Sequence, residues 1–393
     1  MKQQLNIGLF GFGVVGSGLY EVLEQSPTAN ATIKKICVRD ISKKRNIETG
    51  IFCDKPADIL DDPEINLVVE LIDDADAAYG IVKTALEKGK SVVSGNKKML
   101  AEHLPEFIEI QRKNGVGLLY DASACGSIPV IRNLEEYYDN DLLISVTGIL
   151  NGSSNYILSK MHNEGFSYDD ALKRAQELGF AESNPELDVD GLDALSKLVI
   201  ITVHAFGLFV RQDEIFHFGI SKITDRDMQF AREKGRKIKL VAQVKKTEQG
   251  TLAMSVISRM VTPDKYIYNV EDEFNGVVIK GAFYDKQFMF GKGAGAYPTG
   301  SAVLSDITAR GYNYRYEYKK MKLKNSLKFS NDEAVQIYLR FTDEQQLQYF
   351  SFDAVIEKHT SSDFNYVIGK ISLRELLRNK KRIEEEEIFI AEF

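Results

Sequence analysis

Residues 5–18 read LNIGLFGFGVVGSG. The first six, LNIGLF, form a short apolar run of the kind a strand buried on both faces requires. The next six, Gly11-Phe12-Gly13-Val14-Val15-Gly16, make a G-x-G-x-x-G pattern. Beyond it, Val15, Leu19, Val22 and Leu23 recur at helical spacing. A strand that turns through glycines into a helix is the context that gives this pattern its meaning. Gly11 suits a tight turn. Gly13, lacking a Cβ, lets the backbone approach a pyrophosphate, and Gly16 allows close helix–strand packing. The helix N-terminus adds unpaired N–H groups and the positive end of a dipole. Gly11, Gly13, Val14, Val15 and Gly16 are therefore candidate cofactor-binding residues.

The pattern continues outward. ATIKKICV (31–38), LVVELI (67–72) and SVVSGN (91–96) read as strands, and AAYGIVKTALEKGK (77–90) as a helix that stops near Gly89. Short apolar runs alternating with helices predict a parallel sheet covered on both faces. The second strand ends in Val38-Arg39-Asp40, with Asp40 24 residues after Gly16. An acidic residue there binds the ribose hydroxyls of NAD, whereas an arginine accommodates the 2′-phosphate of NADP. Both are present, and Lys43, Lys44 and Arg45 add positive charge. The balance favours NADP with NAD usable, against the plainer reading of an exposed charged turn.

The periodicity changes near residue 130. ISVTGIL (144–150) reads as a strand, and 169–180 and 192–208 read as helices. From 238, IKLVAQVKK, GTLAMSVISRMV, FNGVVIKGAF and KQFMFGKGAG read mostly as strands, predicting an α+β domain with an open antiparallel or mixed sheet. A polar, lysine-rich stretch with Lys319, Lys320, Lys322 and Lys324 reads as a linker. After it, AVQIYLRF (334–341), YVIGKISL and IFIAEF are strands. The QQLQYFSFDAVIEKH stretch (345–359) between the first two reads as helical. KKRIEEEE (380–387) reads as a solvated connection.

Composition narrows the function. The 393 residues correspond to about 2.6 average domains. A net charge of −7 argues against a general nucleic-acid binder. Three cysteines are too few and scattered for a disulfide framework or a four-ligand zinc site, and suit a reducing cytoplasm. The longest apolar stretch, 198–210, contains His204 and is too short to span a membrane. The N-terminus lacks the shape of a signal peptide.

Several segments carry chemistry. Ser94-Gly95-Asn96-Lys97-Lys98 follows a strand end, where open α/β sheets present residues to a ligand. Residues 182–193 hold five carboxylates, among them Glu182, Asp188 and Asp193, and lead into a helix. Asp193 and Lys197 are four apart and within reach of each other. Two readings stay open: an ordinary helix-surface pair, or a lysine held by carboxylates beside a carbonyl substrate, donating a proton as hydride arrives. Asn151-Gly152-Ser153-Ser154 suits a ligand-facing loop or a helix N-cap. A second glycine loop, Gly291-x-Gly293-Ala294-Gly295, precedes a helix beginning at SAVLSDIT and is placed to close over a cofactor, with Gly293 as its candidate contact.

Together these blocks resemble homoserine dehydrogenase over roughly residues 5–325. The resemblance rests on GLFGFGVVGSGL, VVSGNKKMLAE, DASACGSIPVIRNL, GILNGSSNYILSKM, AQELGFAESNPELDVDGLDALSKL and GKGAGAYPTGSAVLSDI, in family order. It implies NAD(P)H-dependent interconversion of L-aspartate 4-semialdehyde and L-homoserine, toward threonine, methionine and isoleucine. Lys97 and Lys197 match the family's catalytic lysines, Lys97 standing also among the cofactor contacts with Arg39. Glu182, Asp188 and Asp193 match its substrate-binding acidic positions. The resemblance further implies a sodium or similar monovalent cation on the backbone carbonyls of Ala124, Gly126 and Ile128, with Asp121 nearby. It implies a homodimer or homotetramer formed through the middle domain, and no fused kinase ahead of residue 1.

The expected organisation is α/β: a Rossmann-type domain over 1–130, completed by about 305–325; a catalytic and dimerisation domain over 131–304; and a short, reduced ACT-like module over 333–393, with fewer strands than a βαββαβ unit. Two departures from the family pattern stand out. Asp73-Asp74 replaces a usual Gly-Gly pair, and Asp121 replaces a glutamate. Two rival readings are a dehydrogenase of another small carbonyl compound and a non-catalytic NAD(P)-binding sensor.

Overall fold

The computed structural model describes residues 3–45, 47, 49–323 and 327–393. The chain forms two compact units: Met1–Asp139 with Lys292–Lys319, and Asn140–Gly291 with Lys320–Phe393.

Unit 1 begins β1 (Leu5–Phe10), α1 (Val14–Glu24), β2 (Ala31–Cys37), β3 (Phe52–Cys53), α2 (Ala57–Leu60), β4 (Leu67–Glu70) and α3 (Ala75–Glu87). It continues β5 (Ser91–Ser94), α4 (Lys97–Asn114), β6 (Leu118–Leu119), α5 (Ala122–Cys125) and α6 (Val130–Glu136). Among the described residues its sheet has six strands in the order β3-β2-β1-β4-β5-β6, all parallel. This is the doubly wound dinucleotide-binding order, whose ligand crevice lies outside the carboxyl ends of the strands where the order reverses. The apolar runs of β4 and β5 are wholly buried, as the two-sided cover requires. The predicted strand LVVELI stops at Glu70. Its last two residues leave the sheet, and α3 starts at Ala75, capped by Asp74.

Unit 2 begins β7 (Leu143–Ile149), α7 (Gly152–Asn163), α8 (Tyr168–Glu177), α9 (Glu186–Val189), α10 (Leu192–Phe206) and β8 (Phe216–Phe218). Then come α11 (Asp225–Glu233), β9 (Lys237–Lys246), β10 (Leu252–Val261), β11 (Phe274–Gly281) and β12 (Lys286–Lys292). α8 and α10 are followed by Gly179 and Gly207, both in the left-handed region that ends helices cheaply. α10 is buried along nearly its whole length, so it is a core helix rather than an amphipathic surface one.

The chain next adds α12 (Ala296–Arg310) to unit 1, beginning five residues before the predicted start. A Cβ on Gly18 would lie 2.3 Å from the Ala296 carbonyl oxygen, and one on Gly300 would lie 2.8 Å from the Leu19 nitrogen. α1 and α12 thus pack backbone against backbone. The segment that belongs to unit 1 runs from 292 to 319, earlier than the expected 305–325; Lys324 and Asn325 lie outside the described residues.

The C-terminal stretch contains β13 (Ala334–Phe341), β14 (Ala354–His359), β15 (Asn365–Ser372), α13 (Leu373–Arg378), α14 (Lys380–Glu385) and β16 (Phe389–Glu392). Its strands are antiparallel in the order β16-β13-β15-β14, the split β-α-β arrangement with a six-residue 3-10 turn in place of the first helix. The expectation of fewer strands is therefore corrected: four occur among the described residues. The missing one, β14, lies inside the stretch read as helical. Its residues Val355 and Ile356 are β-branched, and pairing with β15 overrides the local apolar spacing. KKRIEEEE is also corrected. α14 forms there, anchored by the fully buried Ile383 and supported by Lys380–Glu384 and Lys381–Glu385 pairs at helical spacing. Nor is this stretch a separate compact body. β16 pairs in parallel with β10, giving among the described residues one ten-stranded sheet in unit 2, β12-β11-β7-β9-β10-β16-β13-β15-β14, with β8 beside β10.

Candidate active site

The glycine turn of unit 1 assigns each glycine a distinct task. Gly11 has φ +90°, and a Cβ there would sit 2.5 Å from the Leu71 carbonyl oxygen. A Cβ on Gly16 would lie 2.4 Å from the Gly11 oxygen. A Cβ on Gly13 would meet nothing within 4 Å. Two glycines are thus required by the protein's own packing, while the third leaves open space at the start of α1. That is the cradle a pyrophosphate needs. Val14 is exposed at the first position of α1, and Val15 is half-buried beside it.

At the end of β2, Arg39 is 84% exposed and its Nη2 lies 3.0 Å from Asp74 Oδ2. Asp74 Oδ1 accepts from the Ala77 N–H at 3.0 Å, capping α3. The Ala77 N–H, and then the Arg39 charge, hold the Asp74 carboxyl below the usual range. Asp40 is engaged locally: its Oδ1 accepts from Ser42 N and Oγ at 2.9 and 2.5 Å, which lowers its pKa. Asp74 therefore does structural work, both capping a helix and pairing with Arg39.

Glu70 carries no motif in the sequence. It is fully buried at the carboxyl end of β4. Ser94 Oγ donates to its Oε2 at 2.5 Å, and Ile72 N donates to its Oε1 at 2.8 Å. Burial pushes its pKa up to about 7. Asn96 donates through Nδ2 to the Ile72 carbonyl at 3.0 Å and caps α4 by accepting from Met99 N at 3.0 Å. This network ties the loops after β4 and β5 together and fixes the start of α4, where the half-buried Lys97 is the first residue. The available signal was a lone glutamate inside an apolar run.

The segment expected to hold a cation lies wholly in unit 1. Gly126 has φ +53°, and a Cβ there would lie 2.5 Å from the Gly293 carbonyl oxygen. Ser127 N donates to the Lys292 oxygen at 3.0 Å, and Val130 N to the Ile128 oxygen at 2.8 Å. Ala124 is buried in α5. Asp121 is buried, and Ile131 N donates to it at 2.8 Å. It is pushed up to about 7 by burial and by Asp306, which itself binds Arg132 at 2.7 Å. Gly293 thus lies against the 126 turn.

Unit 2 brings four polar side chains together. Lys197 Nζ donates to Asp193 Oδ2 at 2.7 Å and to the Leu150 carbonyl at 2.6 Å. Their side chains are only 8% and 5% exposed. Asn151 Nδ2 donates to Asp188 Oδ1 at 2.7 Å and to Asp193 Oδ2 at 2.9 Å. Asn151 also caps α7, accepting from Ser154 N at 2.8 Å. Burial, and next the Asp193 charge, raise the Asp188 pKa. The i,i+4 pair of the sequence is therefore a buried cluster and not a helix-surface pair. Glu182 lies apart, exposed after α8, where its backbone carbonyl accepts from Gln176. Its local sequence marks Asn151 as a cap or loop residue, but its bridge between two aspartates 37 and 42 positions away has no local signal.

Residues 11–121 match the family model described as homoserine dehydrogenase, NAD binding domain, and residues 129–308 the one described as homoserine dehydrogenase. The chain is 35% identical to a homoserine dehydrogenase of Helicobacter pylori, covering 97% of this chain and 89% of that one. It superposes on the crystal structure of a homoserine dehydrogenase from Thiobacillus denitrificans with TM-score 0.83 and 28% identity, covering 99% and 97% of the two chains. A hyperthermophilic archaeal homoserine dehydrogenase in complex with NADPH gives TM-score 0.69 and 27% identity over 80% of this chain and 99% of that one.

Proposed function

Because the chain belongs to the homoserine dehydrogenase family, and so is an NAD(P)-dependent oxidoreductase of aspartate 4-semialdehyde and homoserine in amino-acid biosynthesis, we propose that Lys197 is its proton donor. One observation carries this reading: a buried ammonium held by two fixed acceptors, Asp193 and the Leu150 carbonyl. An ammonium has three N–H groups, and the third has no protein acceptor among the described residues. It is the group that meets the substrate carbonyl oxygen, stabilises the developing alkoxide and hands it a proton. The bound dinucleotide supplies the hydride for the aldehyde carbon.

Asp188 and Asp193, with Glu182, are assigned to the substrate's α-amino group. The raised pKa of Asp188 supports this, since an incoming ammonium compensates a carboxylate that burial and a like charge disfavour. Lys97, at the start of α4, is assigned as the second lysine of the reaction and as a cofactor contact. Gly11, Gly13, Val14, Val15, Gly16 and Gly293 are assigned to the dinucleotide, and Arg39 to a 2′-phosphate, so that NADP is favoured and NAD usable. The two rival readings, another carbonyl substrate or a non-catalytic sensor, find no support among the relatives.

A monovalent cation, sodium or its like, is assigned to the carbonyls of Ala124, Gly126 and Ile128. Carbonyl oxygens suit hard cations, and the left-handed Gly126 turn packs against further carbonyls. Replacing sodium with tetramethylammonium should lower the melting temperature; an unchanged value removes the cation. Residues 333–393 are read as an ACT-like module from their strand order, unit 2 as the dimerisation unit, and the cytoplasm as the location. No helix among the described residues is long and apolar enough to cross a membrane, and the three cysteines are free thiols. The deciding assay follows NADPH and NADH oxidation with aspartate semialdehyde. Turnover with at least one is expected, and none with either would refute the reading.

A further inference from the structure

Arg39 lies two residues beyond the end of β2, where this fold presents its ribose-contacting side chain. A guanidinium recognises phosphate through paired N–H donors in a fixed fork. Here one arm of the fork is already engaged, since Arg39 Nη2 lies 3.0 Å from Asp74 Oδ2. Asp74 is tethered by a second contact. Its other oxygen caps α3 through Ala77 N at 3.0 Å, so the competing carboxylate is fixed from a second strand end, after β4.

We propose that Asp74 is a specificity-determining residue that holds back the NADP preference of Arg39. A 2′-phosphate must take a donor from Asp74 or share the guanidinium with it, and must approach a fixed negative charge. The 2′-hydroxyl of NAD needs no guanidinium, so NAD binding is indifferent to the pair. Asp40, the neighbouring acid, is occupied by Ser42 and leaves Arg39 to Asp74. The proposal rests on the assignment of Arg39 to the ribose site.

The test uses Asp74→Asn and Asp74→Ser, both of which retain a side chain able to cap α3. Dissociation constants for NADPH and NADH are measured by equilibrium titration, alongside kcat/KM for each. Both variants should bind NADPH about two- to fivefold tighter, the range expected for releasing an exposed pair, with NADH binding unchanged. In an Arg39→Ala background the same substitutions should leave the NADPH to NADH ratio where it was. An unchanged ratio in the single variants overturns the proposal, as does an equal shift without Arg39. If the unaltered chain binds both dinucleotides and the ratio still does not move, only the role of Asp74 falls. If it binds neither, the cofactor assignment falls with it.

Discussion

The glycine turn of unit 1 and the Asn151–Lys197 cluster of unit 2 both present a prepared site, but they are prepared by different means. The turn is backbone. Its demands sit within six consecutive residues, and glycine meets them by lacking a Cβ. The cluster is side chain. It gathers the Leu150 carbonyl, Asn151, Asp188, Asp193 and Lys197 from the end of β7, the start of α7, α9 and the first turns of α10. The first is prepared by leaving space: a Cβ on Gly13 would meet nothing within 4 Å. The second holds charge in place at the cost of burying it, and relieves that cost by mutual hydrogen bonding.

Substitutions can separate these two kinds of preparation. The largest effect is expected at Lys197. Lys197→Ala should lower kcat by about 10²- to 10⁴-fold, while the dissociation constant for NADPH, read by titration, stays within twofold. A near-normal kcat would remove Lys197 from the chemistry.

The next effect tests whether unit 1 also contains a buried charge that burdens the fold. The Glu70 carboxyl titrates near 7 when folded and near its ordinary value when unfolded. Between these values the folded state holds one proton more, so stability falls as pH rises from about 4.5 to about 7. Glu70→Gln should flatten that fall, by on the order of 2–3 kcal/mol across the window. Urea unfolding at pH 5 and pH 7.5 measures it, and parallel profiles for the two proteins would refute the account.

The glycines should then split. Gly11→Ala forces a side chain into a left-handed turn and onto the Leu71 carbonyl, and should cost about 1–2 kcal/mol or more. Gly13→Ala should leave the melting temperature unchanged but weaken dinucleotide binding, since its Cβ enters open space. Equal melting temperatures for the two variants would erase the distinction. Glu182→Gln should have the smallest effect, a change in substrate KM of about threefold or less, because an exposed charge is worth little. A large loss of kcat there would move Glu182 into the buried cluster's class.

Legibility in the sequence follows the same division. β1, the glycine turn and α1 were readable because strand, turn and helix each carry their own local pattern. α10 was readable from its spacing, although its burial on all sides was not. The strand β14 was misread because Leu347, Tyr349, Phe350, Val355 and Ile356 mimic a helical spacing, and only pairing with β15 decides otherwise. Glu70 was passed over because a carboxylate in an apolar strand acquires meaning only when Ser94 and Ile72 arrive beside it. Asp74 appeared as a departure from a family pattern, and its partner Arg39 was 35 positions away.

The sequence by itself determined the parallel, Rossmann-type sheet of unit 1, its strand–glycine-turn–helix opening and the family, because these depend on short-range patterns that any copy of the fold must repeat. The tertiary structure decided which charges are paired, which are buried and which strand ends share a carboxylate. Those are long-range matters: a side chain's solvation and its partners belong to the packed molecule, and residues dozens of positions apart acquire a common chemistry only when the sheet and its helices bring them within 3 Å.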